Sequence, residues 1–225
     1  MIPVPIIVYM ISHGSDMTRP DSFPLQIILA ALDVELEYAW LHEFKNYPNV
    51  EIRPGSILRH QANAIVSPAN SFGFMDGGID LVYSQHFGWE VEGRVREVIL
   101  SKHHGELPVG SALIVPTEDS NIPHLVCAPT MRVPMNVAGT FNAYLAFRAT
   151  LIAIQEHNKG ASNPISSVLV PGLGTGEGRM PAAACARQMR MAYDNVVREQ
   201  AVTMGGLAGA VRNHLKLMGL PEPGS

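Results

Sequence analysis

Cysteine is nearly absent: the chain has two, Cys127 in an apolar run and Cys185 in an alanine-rich stretch. No disulfide framework can be built from such a pair, and both read as small core residues in a reducing compartment. Charge is sparse as well, with 16% charged residues and a net charge of −4. That balance gives no general attraction to nucleic acid or to an anionic membrane, so nucleic acid is not expected as a partner. Long apolar runs are missing. The N-terminal stretch through Ile6 to Ile11 carries two prolines and reaches His13-Gly14 too soon for a spanning helix, and no basic segment precedes it. It reads as a first strand of a soluble, cytoplasmic protein with no membrane contact. Also absent are internal repeats, low-complexity segments and a Gly-Lys-Ser/Thr phosphate loop.

What the chain does contain is apolar residues, 47% of 225 positions, enough for a substantial core. They fall into short runs alternating with helical spacing. After a polar turn over 12–24, a helix is expected from Ala30 to Phe44, where Leu32, Leu36, Ala39, Trp40 and Phe44 recur every three or four residues. Strands are expected at Val50–Leu58, Ala64–Pro68, Ser111–Thr117, His124–Thr130 and Val168–Pro171. Helices are expected at Gly78–Phe87, Glu90–Ser101, Thr140–His157 and from Pro181 to about Gln200. Buried strands interleaved with helices imply an α/β fold: a three-layer α/β/α sandwich with a mixed, mostly parallel sheet and helices on both faces. One domain over residues 1–200 is expected, followed by an appendage over 201–225 with a short helix at Ala210–Met218.

Two glycine clusters carry the chemistry, each directly after an apolar strand. The first runs from Ser67-Pro68-Ala69-Asn70 to Asp76-Gly77-Gly78-Ile79-Asp80, and the second from Pro171-Gly172 through Gly174-Thr175-Gly176-Glu177-Gly178. Glycine lets successive backbone N–H groups approach an anion, and a following helix adds its positive end. Ligands of open α/β sheets bind at such strand ends, so two loops at one crevice would clamp a diphosphate. A nicotinamide-binding Rossmann loop fits poorly, because Arg179 stands where the third glycine would fall.

These motifs resemble those of the macro domain family. Ser67-Pro68-Ala69-Asn70 and Gly77-Gly78-Ile79-Asp80 are similar to its Asn-Ala-Ala-Asn and Gly-Gly-Gly-Val-Asp patterns, with the Asn70-to-Asp80 step of its hydrolytic members. Gly174 to Gly178 looks like its second loop. The resemblance implies a cleft for ADP-ribose, or for an ADP-ribosylated molecule, and needs neither metal nor other cofactor. It implies that Asn70 bonds the distal ribose and that Asp80 orients or activates a water at the anomeric carbon. Ala69, Gly77, Gly78 and Ile79 would lie along one side of the ligand, and Gly174, Thr175, Gly176, Glu177 and Gly178 along the other. Ser56 and Ile57 would meet the adenine, and Arg132 is placed beside the cleft to meet a phosphate.

Three departures stand out. Gly55-Ser56-Ile57 replaces the family's Gly-Asp-Ile, Ser67 replaces the first Asn, and the second loop lacks its aromatic, leaving Phe72 or Phe74 as the candidate stacking surface. The residues also admit plainer readings: Asn70 as an Asx-turn former, Asp80 as an exposed first-turn acid, Gly77-Gly78 as a tight turn, Thr175 as a cap, Arg132 as a surface charge. His103-His104 reads as a solvated helix end and the 11 methionines as core packing. Function therefore stands between an ADP-ribosyl hydrolase, a non-catalytic ADP-ribose reader, and a macro fold that has lost its ligand and serves interaction.

Overall fold

A computed structural model describes residues 24–200 and 205–221. The strand expected at Ile6–Ile11 lies outside these residues. The described chain runs β1 (Gln26–Ala31), α1 (Val34–Glu43), β2 (Val50–Pro54), a short 3-10 turn (Ile57–Arg59), β3 (Ala64–Ser67), α2 (Gly78–Phe87) and α3 (Glu90–Lys102). It continues with β4 (Leu113–Pro116), β5 (His124–Cys127), α4 (Asn142–Asn158), β6 (Ser167–Val170), α5 (Ala182–Val196) and α6 (Gly206–Met218).

The strands form one sheet in the order β2-β1-β6-β3-β5-β4, with β4 antiparallel to β5 and every other pairing parallel. The layers follow from the period-two alternation of the strands. Ile27 and Leu29 of β1 turn to one face, with Val66, Val168 and Val170, under Leu36 and Trp40 of α1, Phe147 and Leu151 of α4, and Met189 and Tyr193 of α5. Ile28 and Ala30 turn to the other, with Ile65, Leu125 and Leu169, under Tyr83 of α2 and Val91, Val95 and Ile99 of α3. The three-layer α/β sandwich is the observed architecture.

One expectation changes. Residues 26–31 form a strand, so the helix read from Ala30 starts only at Val34, and Leu32, counted on its apolar face, is 82% exposed. Asp33 sets the boundary: its side chain accepts from the backbone N–H of Glu35 at 2.8 Å and caps α1. Strand ends also fall earlier than read, β2 at Pro54 and β5 at Cys127. Past those points the chain leaves the ladder to build the cleft.

Candidate functional site

At the carboxyl edge of the sheet the exits of β2, β1, β6, β3 and β5 surround a cavity of about 570 Å³. Both glycine loops line it. So do Ser56, Ile57, Ala69, Asn70, Gly77, Gly78, Ile79, Asp80, Gly174, Thr175, Gly176, Glu177 and Gly178, which brings together every sequence-predicted site residue except Arg132.

Arg132 is directed elsewhere. Its guanidinium makes a two-point pair with the Glu106 carboxylate at 2.7 and 3.0 Å and stacks over Phe72, 5.2 Å from the ring centroid. The plainer reading as a surface charge describes it: the guanidinium is committed to Glu106 and lies outside the cavity lining. Phe74 lines the cavity and Phe72 does not; Arg96 covers one face of the Phe74 ring at 4.4 Å.

The first loop is held by its own side chains. Asn70 Oδ1 accepts from the N–H groups of Phe72 and Phe74 at 3.1 and 3.3 Å, and its Nδ2 donates to the Phe74 carbonyl at 2.8 Å. Asn70 thus shapes the loop, as an Asx-turn former does, while bordering the cavity. Gly73 is left-handed at φ 73°, and a Cβ there would meet Val95 and Ile99 at 2.8 Å. Glu92 accepts from the Met75 N–H at 2.9 Å, which pins the loop to α3. The chain then enters α2 at Gly77 with no side-chain cap. The first N–H groups of α2 are left without an intrahelical partner at the cavity wall.

The glycines divide into two kinds. Gly178 is required by the fold itself, since a Cβ there would sit 2.5 Å from the Gly174 carbonyl oxygen and 2.6 Å from Val137. Gly174 needs its φ of 74°. By contrast, Gly77 is extended at φ −142° and Gly176 has no left-handed φ, and a Cβ at either would meet nothing within 4 Å. No intramolecular contact demands glycine at those two positions, and both face the cavity.

Asp80, in the first turn of α2, is only 8% exposed, so the reading as an exposed helix-end acid does not describe it. Its Oδ1 accepts from the Ser67 hydroxyl at 2.6 Å, at the end of β3 where Ser67 is fully buried. Burial pushes the carboxyl up from 3.8 to about 7, with the Ser67 hydrogen bond pulling the other way. Beside it, burial and then the Asp80 charge raise the Cys127 thiol and the Tyr83 phenol; the Tyr83 hydroxyl donates to the Val66 carbonyl at 3.2 Å. Four carboxylates (Asp33, Asp76, Asp80 and Glu177) and no Lys or Arg line the cavity. An anion placed there would be held by backbone N–H groups and helix ends rather than by side-chain cations.

A family model described as "Macro domain" matches residues 66–189, more than half of the chain. The chain belongs to the macro domain family. This is a family known for binding ADP-ribose. The macro domain described here is 34% identical over 142 residues to an uncharacterised protein of Aquifex aeolicus, covering 63% of this chain and 78% of that one. It is 32% identical over 140 residues to an uncharacterised protein of Aeropyrum pernix, covering 61% and 67%. Among solved structures, the macrodomain of Mycobacterium tuberculosis DarG superposes with a TM-score of 0.51 at 24% identity, over 64% of this chain and 88% of that one. An Oceanobacillus iheyensis macrodomain with ADP gives a TM-score of 0.52 at 21% identity, over 66% and 76%. These likenesses show the fold.

Sequence reasoning did not reach the β1–α1 junction, where Ala30, Ala31, Leu32, Asp33 and Leu36 also line the cavity. The apolar run ending at the helix-capping Asp33 was the available signal. Among the described residues no group of three or more His, Cys, Asp or Glu is placed to hold a metal ion, and no helix is long and apolar enough to cross a membrane.

Proposed function

We propose that this macro domain binds ADP-ribose, or a closely related nucleotide diphosphate, in the cavity between its two glycine loops and hydrolyses ADP-ribose from an acceptor. One observation carries the reading: Gly77 and Gly176 face a common cavity at positions where nothing within the protein requires glycine. A ligand backed closely against the main chain supplies the reason. The Oceanobacillus iheyensis macrodomain solved with ADP, similar in fold, is in keeping with a nucleotide diphosphate. The diphosphate lies under the N–H groups of the Gly174–Gly178 loop and at the start of α2, with the distal ribose toward Asn70 and Asp80.

In the hydrolytic step a water oxygen bonds to the anomeric carbon as the bond to the acceptor breaks. Asp80, ionised above about pH 7 and held by Ser67, orients that water and takes its proton.

Calorimetric titration with ADP-ribose tests the binding reading. Micromolar affinity is expected for the wild type and none for Gly176→Glu. That variant is expected to fold, because a Cβ at this cavity-lining position meets nothing within 4 Å and the backbone there is not left-handed. Equal affinity in the variant would refute the placement of the diphosphate.

A further inference from the structure

Helix α1 is apolar on two opposite sides. With about 100° of turn per residue, Leu36 and Trp40 fall on the side buried against the sheet and α5, continued by Phe44 at the helix end. Val34, Tyr38 and Leu41, spaced four and three residues apart, fall on the side facing away, and are 60%, 69% and 46% exposed. Leu32, just ahead of the cap, adds exposed apolar surface at the same end. A helix apolar all round is ordinarily a buried one, yet no described element covers this outer side. Single exposed apolar residues need no explanation, whereas a contiguous stripe of large ones marks an interaction surface. The stripe also lies outside residues 66–189, the part of the chain that matches the family.

The charges at the two ends of the stripe say what fits on it. Glu35 stands in the first turn of α1, His42 in its last turn and Lys45 in the turn that follows, and all three are exposed. Neither Glu35 nor Lys45 has an ion-pair partner among the described residues. The stripe is therefore acidic at one end and basic at the other, which makes it complementary to itself when reversed. A second α1 laid antiparallel across it, with Tyr38 of each copy against Leu41 of the other, sets Val34 against the stem of Lys45. The same register brings Glu35 of one copy within reach of His42 and Lys45 of the other, and two-fold symmetry makes each contact twice. Parallel pairing would instead put Glu35 beside Glu35 and Lys45 beside Lys45.

We infer that this chain pairs with a second copy of itself through the outer side of α1, as an antiparallel two-fold dimer closed at each end by Glu35 of one copy and Lys45 of the other. The inference is independent of the ADP-ribose reading. Ten helical residues give a contact only about 15 Å long. That falls short of the roughly 800 Å² per partner of a standard interface, so the dimer is weak and reversible, with a dissociation constant on the order of tens of micromolar.

Sedimentation equilibrium of the full chain from about 5 to about 500 µM tests this. The mass of the wild type is expected to rise from that of one chain toward that of two. Glu35→Lys and Lys45→Glu should each hold the protein monomeric, because antiparallel pairing then sets like charges together at both ends. Mixed in equal amounts, the two variants should associate again, since one copy then presents only cations at these positions and the other only carboxylates. Recovery in the mixture also shows that both variants are folded. A wild type that stays monomeric at every concentration overturns the inference. So does a dimer that neither variant weakens, which would lie on another face, or a mixture that stays monomeric, which would exclude the antiparallel register. A monomeric wild type whose unfolding midpoint falls on Tyr38→Ser overturns it as well, giving the stripe to a segment of the same chain.

Discussion

Asp80 separates two costs that a single residue can carry. A carboxyl whose ordinary value is 3.8 stands at about 7 in the folded chain because burial disfavours its charge, with no cation among the groups that set it. The folded protein therefore keeps this proton over the window from about pH 4 to about pH 7, where the unfolded chain has released it. Stability falls as pH rises through that window and levels off above it, since the native state binds more protons than the unfolded state. Asp80→Asn removes the ionisation while keeping an acceptor for Ser67. It is expected to abolish turnover and yet to stabilise the fold by about 1–3 kcal/mol at pH 8, and by much less at pH 5. Urea titrations of the two proteins at both pH values check this. A variant no more stable than wild type at pH 8 would show that Asp80 is not held at a cost.

The same residue shows what could be read in advance. The Asn70-to-Asp80 spacing marked it as a site residue, but its burial and its bond to Ser67 depend on β3 and α2 meeting. Arg132 shows the opposite case. It sits close to the cleft in sequence and topology, yet Glu106, 26 positions earlier, takes its guanidinium. No local pattern around either residue announces that pair.

At the scale of elements, α1 and α5 are joined by an ionic cluster. Arg190 lies between Glu43, at 2.7 Å, and Asp194, to which it also bonds; Asp194 accepts from the Tyr47 hydroxyl at 2.8 Å and has Arg198 at 3.6 Å. Arg198 in turn stacks on the Tyr47 ring, 3.8 Å from its centroid. Asp194 is 7% exposed and the centre of the cluster, so removing it leaves two guanidiniums and a phenol competing for one remaining carboxylate. Asp194→Ala is expected to destabilise by about 2–3 kcal/mol, at the low end for a broken buried pair because Arg190 keeps some water contact. Chemical denaturation with an unchanged m-value measures it, and a loss below about 0.5 kcal/mol would class the cluster with ordinary surface pairs.

Elements with one polar face were the readable ones: α2 falls at the expected Gly78–Phe87 and α3 within one residue of expectation. β1 was not, because Ile27 to Ala30 are buried on both sides of the sheet and show no alternation. Leu32 then extended the apparent helical spacing backwards across the Asp33 cap. That single boundary hid the Asp33 end of the cavity, whereas the two glycine loops, being contiguous in sequence, were visible before any strand was paired.

Taken whole, the molecule raises the question of what the C-terminal helix contributes. Residues 201–225 follow the sheet and its five main helices in sequence, yet α6 is packed against α5. Leu217 is 4% exposed and belongs to the same core cluster as Met189 and Tyr193. Its carbonyl lies within 3.4 and 3.5 Å of Arg187 and Gln188 donors. Gln188, itself 1% exposed, also donates to the Thr140 carbonyl at 2.8 Å and accepts from the Tyr144 N–H at 3.3 Å, which ties α6 to the start of α4. Phe141 meets His214 edge-on at 5.5 Å. Leu217→Ala should therefore cost about 2–3 kcal/mol, the usual toll for emptying a buried leucine site. Its unfolding should remain a single transition, coincident by circular dichroism and by tryptophan fluorescence from Trp40 in the core. No α6 residue lines the cavity, so ADP-ribose affinity should stay within about twofold of wild type while stability falls. Two separate transitions, or stability equal to wild type, would make α6 an appendage that folds on its own terms; a parallel loss of affinity would mean that the α5 contact reaches the glycine loop from which α5 begins.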